Sequence, residues 1–126
     1  MENTNYSVKI RTSSRELTAR ERIRFKDTST ALSLDDATNG GSIIITNPAA
    51  YVILDVHNEK ADTPDYAKFV VIDEAGNSYI TGSDSFYRSF LEIFEEMQGE
   101  GEYSIEVSKH DSKNYKGKGF IKAAIV

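Results

Sequence analysis

Apolar and polar residues alternate over most of the chain. Tyr6, Val8 and Ile10 alternate with Ser7, Lys9 and Arg11, which predicts a half-buried strand with a basic outer side. Ser13-Ser-Arg-Glu16 and Thr18-Ala-Arg-Glu21 are overlapping capping-box patterns, in which a hydroxyl and a Glu three residues later satisfy the first helical amides. They predict a short helix over residues 19–26, pinned to the core by Leu17, Ile23 and Phe25, with Arg15, Arg20, Arg22 and Arg24 in solvent. A polar connector follows over residues 27–41, with a one-turn helix at 34–37 after Ser33 and a break at Asn39-Gly40-Gly41. Ser42-Ile-Ile-Ile-Thr46 is β-branched and apolar, a strand either buried on both sides or paired with the N-terminal one.

Beyond Pro48 the elements acquire a recognisable order. Tyr51-Val-Ile-Leu-Asp-Val-His57 predicts a long strand with Val52, Leu54 and Val56 on one face, and Tyr66-Ala-Lys-Phe-Val-Val-Ile72 predicts a second. Asp73-Glu-Ala-Gly-Asn77 supplies turn chemistry before a third strand, Ser78-Tyr-Ile-Thr81. Ser83 or Ser85 caps a helix reaching about Met97, with Phe86, Phe90, Ile93, Phe94 and Met97 on one stripe, Glu92, Glu95 and Glu96 opposite, and Gly99 and Gly101 beyond its end. Tyr103, Ile105 and Val107 mark a fourth strand, a turn is expected around residues 110–114, and a fifth strand ends the chain. The expected fold class is therefore mainly β with one main helix. Three meandering strands, a helix and two strands is the order of an OB-fold, so residues 49–126 are expected to form an OB-fold-like five-stranded barrel. Residues 1–48 form an N-terminal strand and short-helix extension packed on it, within one domain of 126 residues. A helix lying across an open antiparallel sheet is the other architecture this pattern permits.

Charge is distributed unevenly. The formal net charge is −5, but residues 1–26 sum to +4 and residues 107–126 to +4, while residues 27–72 sum to −5 and residues 73–106 to −8. Two basic ends thus flank an acidic middle, and an electropositive face arises if the ends meet. The absence of cysteine excludes disulfides and thiolate metal sites. No apolar run approaches the roughly 20 residues of a membrane span, and the polar start lacks the regions of a signal peptide, so a cytoplasmic protein with no membrane partner is expected.

The chemistry concentrates near the C-terminus, in Lys113-Asn-Tyr-Lys-Gly-Lys-Gly-Phe-Ile-Lys122. With a period of two, Lys116, Lys118, Phe120 and Lys122 share one side of a strand, while Gly117, Gly119, Ile121, Ala123 and Ile125 share the other. Ammonium groups around an aromatic ring suit a single nucleic-acid strand, because lysines neutralise phosphates and a ring stacks on any base. In a barrel with Phe69, Val71 and Ile80 inside, Tyr66, Lys68 and Tyr79 face outward beside this row, and Lys113 and Tyr115 close over a bound strand.

Signals for catalysis are poor. Asp55, His57 and Glu59 alternate on one strand, a spacing that a strand ending in water produces by accident, and no metal site is assigned to them. His110-Asp111-Ser112 are sequence neighbours that point apart, so they do not form a nucleophile, base and orienter. Gly117-Lys118-Gly119 has no following helix to make it a phosphate loop. No cofactor and no enzymatic activity are expected.

The segments Asp55-Val-His-Asn-Glu-Lys60, Tyr79-Ile-Thr-Gly-Ser-Asp-Ser-Phe-Tyr87 and Ser112-Lys-Asn-Tyr-Lys-Gly-Lys-Gly-Phe-Ile121 resemble small phage or prophage proteins of Gram-positive bacteria described as single-stranded DNA-binding proteins. The resemblance implies an OB-type fold, sequence-tolerant binding of single-stranded DNA, and action in phage DNA replication or recombination in the host cytoplasm. Homo-oligomers and a phage or host replication protein are further partners to expect. Many bacterial single-stranded DNA-binding proteins end in an acidic tail, whereas this sequence ends in Ala123-Ala-Ile-Val126, so recruitment through such a tail is not expected. The acidic middle suggests a competing function, a phage-encoded interaction module that inhibits a host protein through its acidic helix.

Overall fold

A computed structural model describes residues 6–111 and 119–126 of the chain. The chain order is β1 (Tyr6–Ser13), α1 (Ala19–Lys26), a 3-10 turn (Thr28–Thr30), β2 (Leu32–Ser33), α2 (Leu34–Ala37), β3 (Ile43–Thr46), β4 (Pro48–Asn58), β5 (Asp65–Asp73), β6 (Ser78–Thr81), α3 (Asp84–Glu96), β7 (Ser104–Asp111) and β8 (Gly119–Ile125).

The helix ends follow from local chemistry. Thr18 Oγ1 accepts from the Glu21 amide at 3.1 Å and Glu21 Oε1 accepts from the Thr18 amide at 3.0 Å, so the second capping pattern closes as a reciprocal pair. Arg15 donates to both Glu21 oxygens, and this pairing, helped by the Thr18 amide, pulls the Glu21 carboxyl down to about 2. Ser83 caps α3 by accepting from the Phe86 amide at 3.1 Å. The turn between β5 and β6 needs Gly76 at φ +91°, where its amide donates to Asp73 O and the Asp73 carboxylate accepts from Asn77 N and Nδ2.

Two sheets result, a five-stranded one ordered β1-β4-β5-β6-β2 and a three-stranded one ordered β3-β7-β8. The β4-β5-β6 meander is antiparallel as expected, and β1 lies antiparallel against β4. β3 pairs with β7 rather than with β1, so the apolar run 42–46 opens the second sheet instead of extending the first.

The sheets do not close into a barrel. Closure would set β6 beside β8, but β6 pairs in parallel with β2. The edge of β8 meets α3 instead, where the Ala123 amide donates to Ser89 Oγ at 2.9 Å. A helix side chain thus takes up an edge hydrogen bond that a neighbouring strand would otherwise satisfy.

Two apolar cores share the large sheet. One contains the α3 stripe Phe86, Phe90 and Phe94 with Val71 and Tyr79 of the large sheet and Ile45, Ile105, Val107, Ile121 and Ala123 of the small one. The other lies on the opposite face, where Leu17 and Phe25 cover Ala50, Val52, Leu54, Val56 and Val70. Ile23 is not in either. It is 69% exposed, because the face of the eight-residue α1 that meets the sheet is filled by Phe25.

Asn47, at the corner between β3 and β4, has φ +50°. Its amide donates to Tyr103 O at 2.8 Å, its Oδ1 accepts from Tyr103 N at 3.1 Å and its carbonyl accepts from Glu74 N at 3.0 Å. A left-handed conformation costs an ordinary side chain about 1–2 kcal/mol and the Oδ1 bond contributes about 1 kcal/mol. Asn47→Ala is expected to lower stability by about 2–3 kcal/mol, and Asn47→Gly, which tolerates the conformation but lacks the side-chain acceptor, by about 1 kcal/mol. Urea unfolding of the two variants beside the parent checks this order; equal losses would mean that the conformation contributes nothing.

Candidate nucleic-acid interface

The β7-β8 hairpin sets up the site. Its register pairs His110 with Phe120, Ser108 with Lys122 and Lys109 with Ile121. Ile121 faces inward with Val107 and Ala123, Lys109 lies on the same side but is exposed at the margin, and the other two pairs face out. Ile121 and Ala123 are buried while Phe120 and Lys122 are exposed, so the sequence parity holds over residues 120–123, and Gly119, expected on the buried side, is exposed. Ile125 departs from it at 51% exposure, since it lies at the margin of the small sheet.

Phe120 is stacked on His110 across the hairpin, with ring centroids 5.6 Å apart and planes inclined by 23°. His110 is therefore part of β7 and not of a turn. Its Nε2 lies 3.0 Å from Ser108 Oγ, and Phe120 keeps 37% of its surface exposed. The two stacked rings form an aromatic platform on the outer face of the small sheet, with Lys122 adjacent. Farther along that face, Glu106 accepts from Ser42 Oγ at 2.9 Å, so the outer surface turns acidic away from the platform.

Next to the platform lies a cleft of about 450 Å³ lined by Asp35, Lys68, Gly82, Ser83, Lys109, Gly119, Phe120 and Ile121. Lys68 extends along Gly82 with its ammonium 5.8 Å from the Tyr66 ring centre. The Lys109 ammonium donates to Asp35 O at 3.2 Å and to Asn39 Oδ1, and the Asp35 carboxylate accepts from Thr81 Oγ1 at 2.9 Å. Neither lysine has a carboxylate partner among the described ion pairs.

Of the residues expected to bind, the structure brings Lys68 and Phe120 together on this cleft and puts Lys122 beside them. Lys113, Tyr115, Lys116 and Lys118 lie outside the described residues. The described residues that flank them, Asp111 and Gly119, are cross-strand partners, and Gly119 lines the cleft.

Tyr79 does not join them. It is 9% exposed and its hydroxyl donates to Asp73 Oδ2 at 3.2 Å. The β5-β6 register explains this: Val71 lies opposite Tyr79 and Val70 opposite Ile80. Tyr79 thus shares the α3 side with Val71, whereas Ile80 packs on the α1 side with Val70, and Ile80 does not fill the same interior as Val71. Tyr66 is half-buried on that second side and contacts Lys68 rather than lining the cleft. Lys109 and His110 are the contributors that the sequence reading missed; pairing the two final strands in the antiparallel register observed would have set His110 beside Phe120.

At another part of the large sheet, Asp55 pairs with Arg11, and His57 lies between Asp65 (Nδ1 to Oδ1, 2.7 Å) and Glu59 (Nε2 to Oε1, 3.6 Å). Asp55 is thus held by Arg11 while His57 pairs with Asp65 and Glu59, and among the described residues no group of three or more side chains is arranged to hold a metal ion. No described helix is long and apolar enough to cross a membrane. No protein-family model, curated protein or solved structure matches the chain.

The hydrogen bond to Asp65 raises the His57 pKa above its ordinary value, with Glu59 adding to the effect. A raised folded-state pKa gives stability that is complete below the unfolded value of about 6.5 and is lost as pH rises through the folded value. The difference in urea midpoint between the parent and His57→Gln is therefore expected to be largest below about pH 6 and to shrink above neutrality. A difference that does not change with pH would assign the effect to something other than the imidazolium.

Proposed function

We propose that this chain is a non-enzymatic protein that binds single-stranded DNA with little sequence preference, acting in phage DNA replication or recombination in a host cytoplasm. The observation that carries the reading is the exposed His110–Phe120 stack, bordered by Lys122 and opening onto the cleft of Lys68 and Lys109. Bases stack on the rings, and phosphates lie against the ammonium groups. In the sequence, Lys113, Lys116 and Lys118 fall between Asp111 and Gly119, the paired strand ends at this site. Glu106 and the glutamates of α3 disfavour other paths for a polyanion.

The reading also takes the fold as an opened relative of the OB type. β3 and β4 are two arms of one strand bent at Asn47, one pairing with β5's sheet and the other with β7, and α3 follows the third strand of the meander. OB-folds bind oligonucleotides on the face of strands 2–3 and adjoining loops; here the second strand of the meander supplies Lys68 to the cleft, while the platform is on the last two strands.

Fluorescence anisotropy with short labelled oligonucleotides tests the function. Phe120→Ala is expected to weaken binding by about 1–3 kcal/mol, the contribution of one stacked base. Reversing Lys116, Lys118 and Lys122 to Glu is expected to reduce affinity and to flatten the plot of log affinity against log salt by about 2, since each phosphate contact to a single strand contributes about 0.7. A folded parent that fails to bind at low salt would overturn the function. Unchanged binding by the folded triple variant would overturn this face as its site.

A further inference from the structure

The charge division along the sequence becomes a division in space. α1 covers one face of the large sheet through Phe25, and α3 packs on the other through Phe86, Phe90 and Phe94. The solvent side of α1 carries Arg20, Arg22 and Lys26 around Ile23, which is 69% exposed. Arg22 donates to Leu17 O at 2.7 Å and neighbouring Arg24 to Gly76 O at 2.8 Å, both carbonyl acceptors, so neither guanidinium is neutralised by these bonds. The solvent side of α3 carries Glu92, Glu95 and Glu96, spaced by three and four residues and hence on one stripe. Among the described residues none of these six charged side chains takes part in an ion pair.

We propose that the α1 surface docks on the acidic α3 surface of a second copy of this chain, so that copies associate head to tail. The occupant follows from charge complementarity: a basic helix with an exposed isoleucine and an acidic helix stripe lie on opposite faces of one sheet, each without an ionic partner among the described residues. Because the two surfaces lie on opposite faces of the sheet, the contact is heterologous, and an open assembly keeps a free surface of each kind at its ends until it grows past the dimer into a longer chain or a closed ring. Exposed charges are screened within about 10 Å at 0.1 M salt, so the association weakens as salt rises. The contact is distant in sequence from the β7-β8 platform and requires no nucleic acid.

Sedimentation of the full chain without nucleic acid tests this. At low salt the weight-average mass is expected to climb with concentration past twice that of the 14.1 kDa chain, and to fall back to the monomer at high salt. The variant R20E/R22E/K26E and the variant E92K/E95K/E96K are each expected to stay monomeric, and a mixture of the two to associate again, because each retains the surface that the other needs. Circular dichroism checks that both variants fold, and Ile23→Ser, which leaves all charges in place, is expected to weaken association of the parent severalfold. A parent that remains monomeric, a mass that stops at twice the chain, or variants that associate as the parent does would each overturn the proposal. So would an α1 variant whose only defect is weaker oligonucleotide binding, which would make nucleic acid the occupant of that surface.

Discussion

The stack of Phe86, Phe90 and Phe94 along α3 is the contact on which both sheets depend. Successive rings lie 5.6 and 5.3 Å apart at shallow angles, and Tyr51 of β4 meets Phe90 and Phe94 edge-on at 5.8 and 5.5 Å. Val71 and Tyr79 approach from the large sheet, and Ile105, Val107, Ile121 and Ala123 from the small one. Three aromatic side chains that bury well over 100 Å² each therefore supply much of the area joining two sheets that share no ladder. The same helix takes the Ala123 edge amide through Ser89. One element thus unites the sheets and keeps them from closing on each other.

The large sheet is buried on both faces over its central strands, and this governs how its side chains are distributed. Val70 and Val71 are neighbours in β5, and each belongs to a different core. A period-two pattern then distinguishes two interiors rather than an interior and a surface, and the strand reads as a nearly continuous apolar run. Tyr79 is inside for this reason, with its hydroxyl satisfied by Asp73, whose carboxylate also holds the turn through Asn77. The small sheet has only one covered face, so its other face remains free to carry Phe120, His110 and Lys122 in water.

Charge follows the same architecture. The basic helix, the acidic helix and the lysine-bearing hairpin lie on three different surfaces, so the net charge of −5 does not describe what any one of them presents to a partner. The cleft residue Asp35 accepts from the neutral Thr81 hydroxyl and its carbonyl supports Lys109, so the cleft beside the aromatic platform sets the two ammonium groups of Lys68 and Lys109 against one carboxylate.

Much of this was legible in the sequence wherever the determining interactions are local. The capping pair Thr18–Glu21 fixes α1, Ser33 fixes the single turn of α2, and Ser83 with the four-residue spacing of phenylalanines fixes α3, because each depends on bonds within one or two helical turns. The face of Phe120 and Lys122 followed from alternation along a strand with one covered side. Tertiary structure alone decided the rest. The partner of β3, the parallel seat of β2 beside β6, the open edge closed by Ser89, and the meeting of Lys68 with Lys109 and Phe120 all join segments far apart in the chain. Strand pairing is specified by backbone groups that every residue carries and by the burial that results, so its register appears only once both faces of each sheet have found their covers.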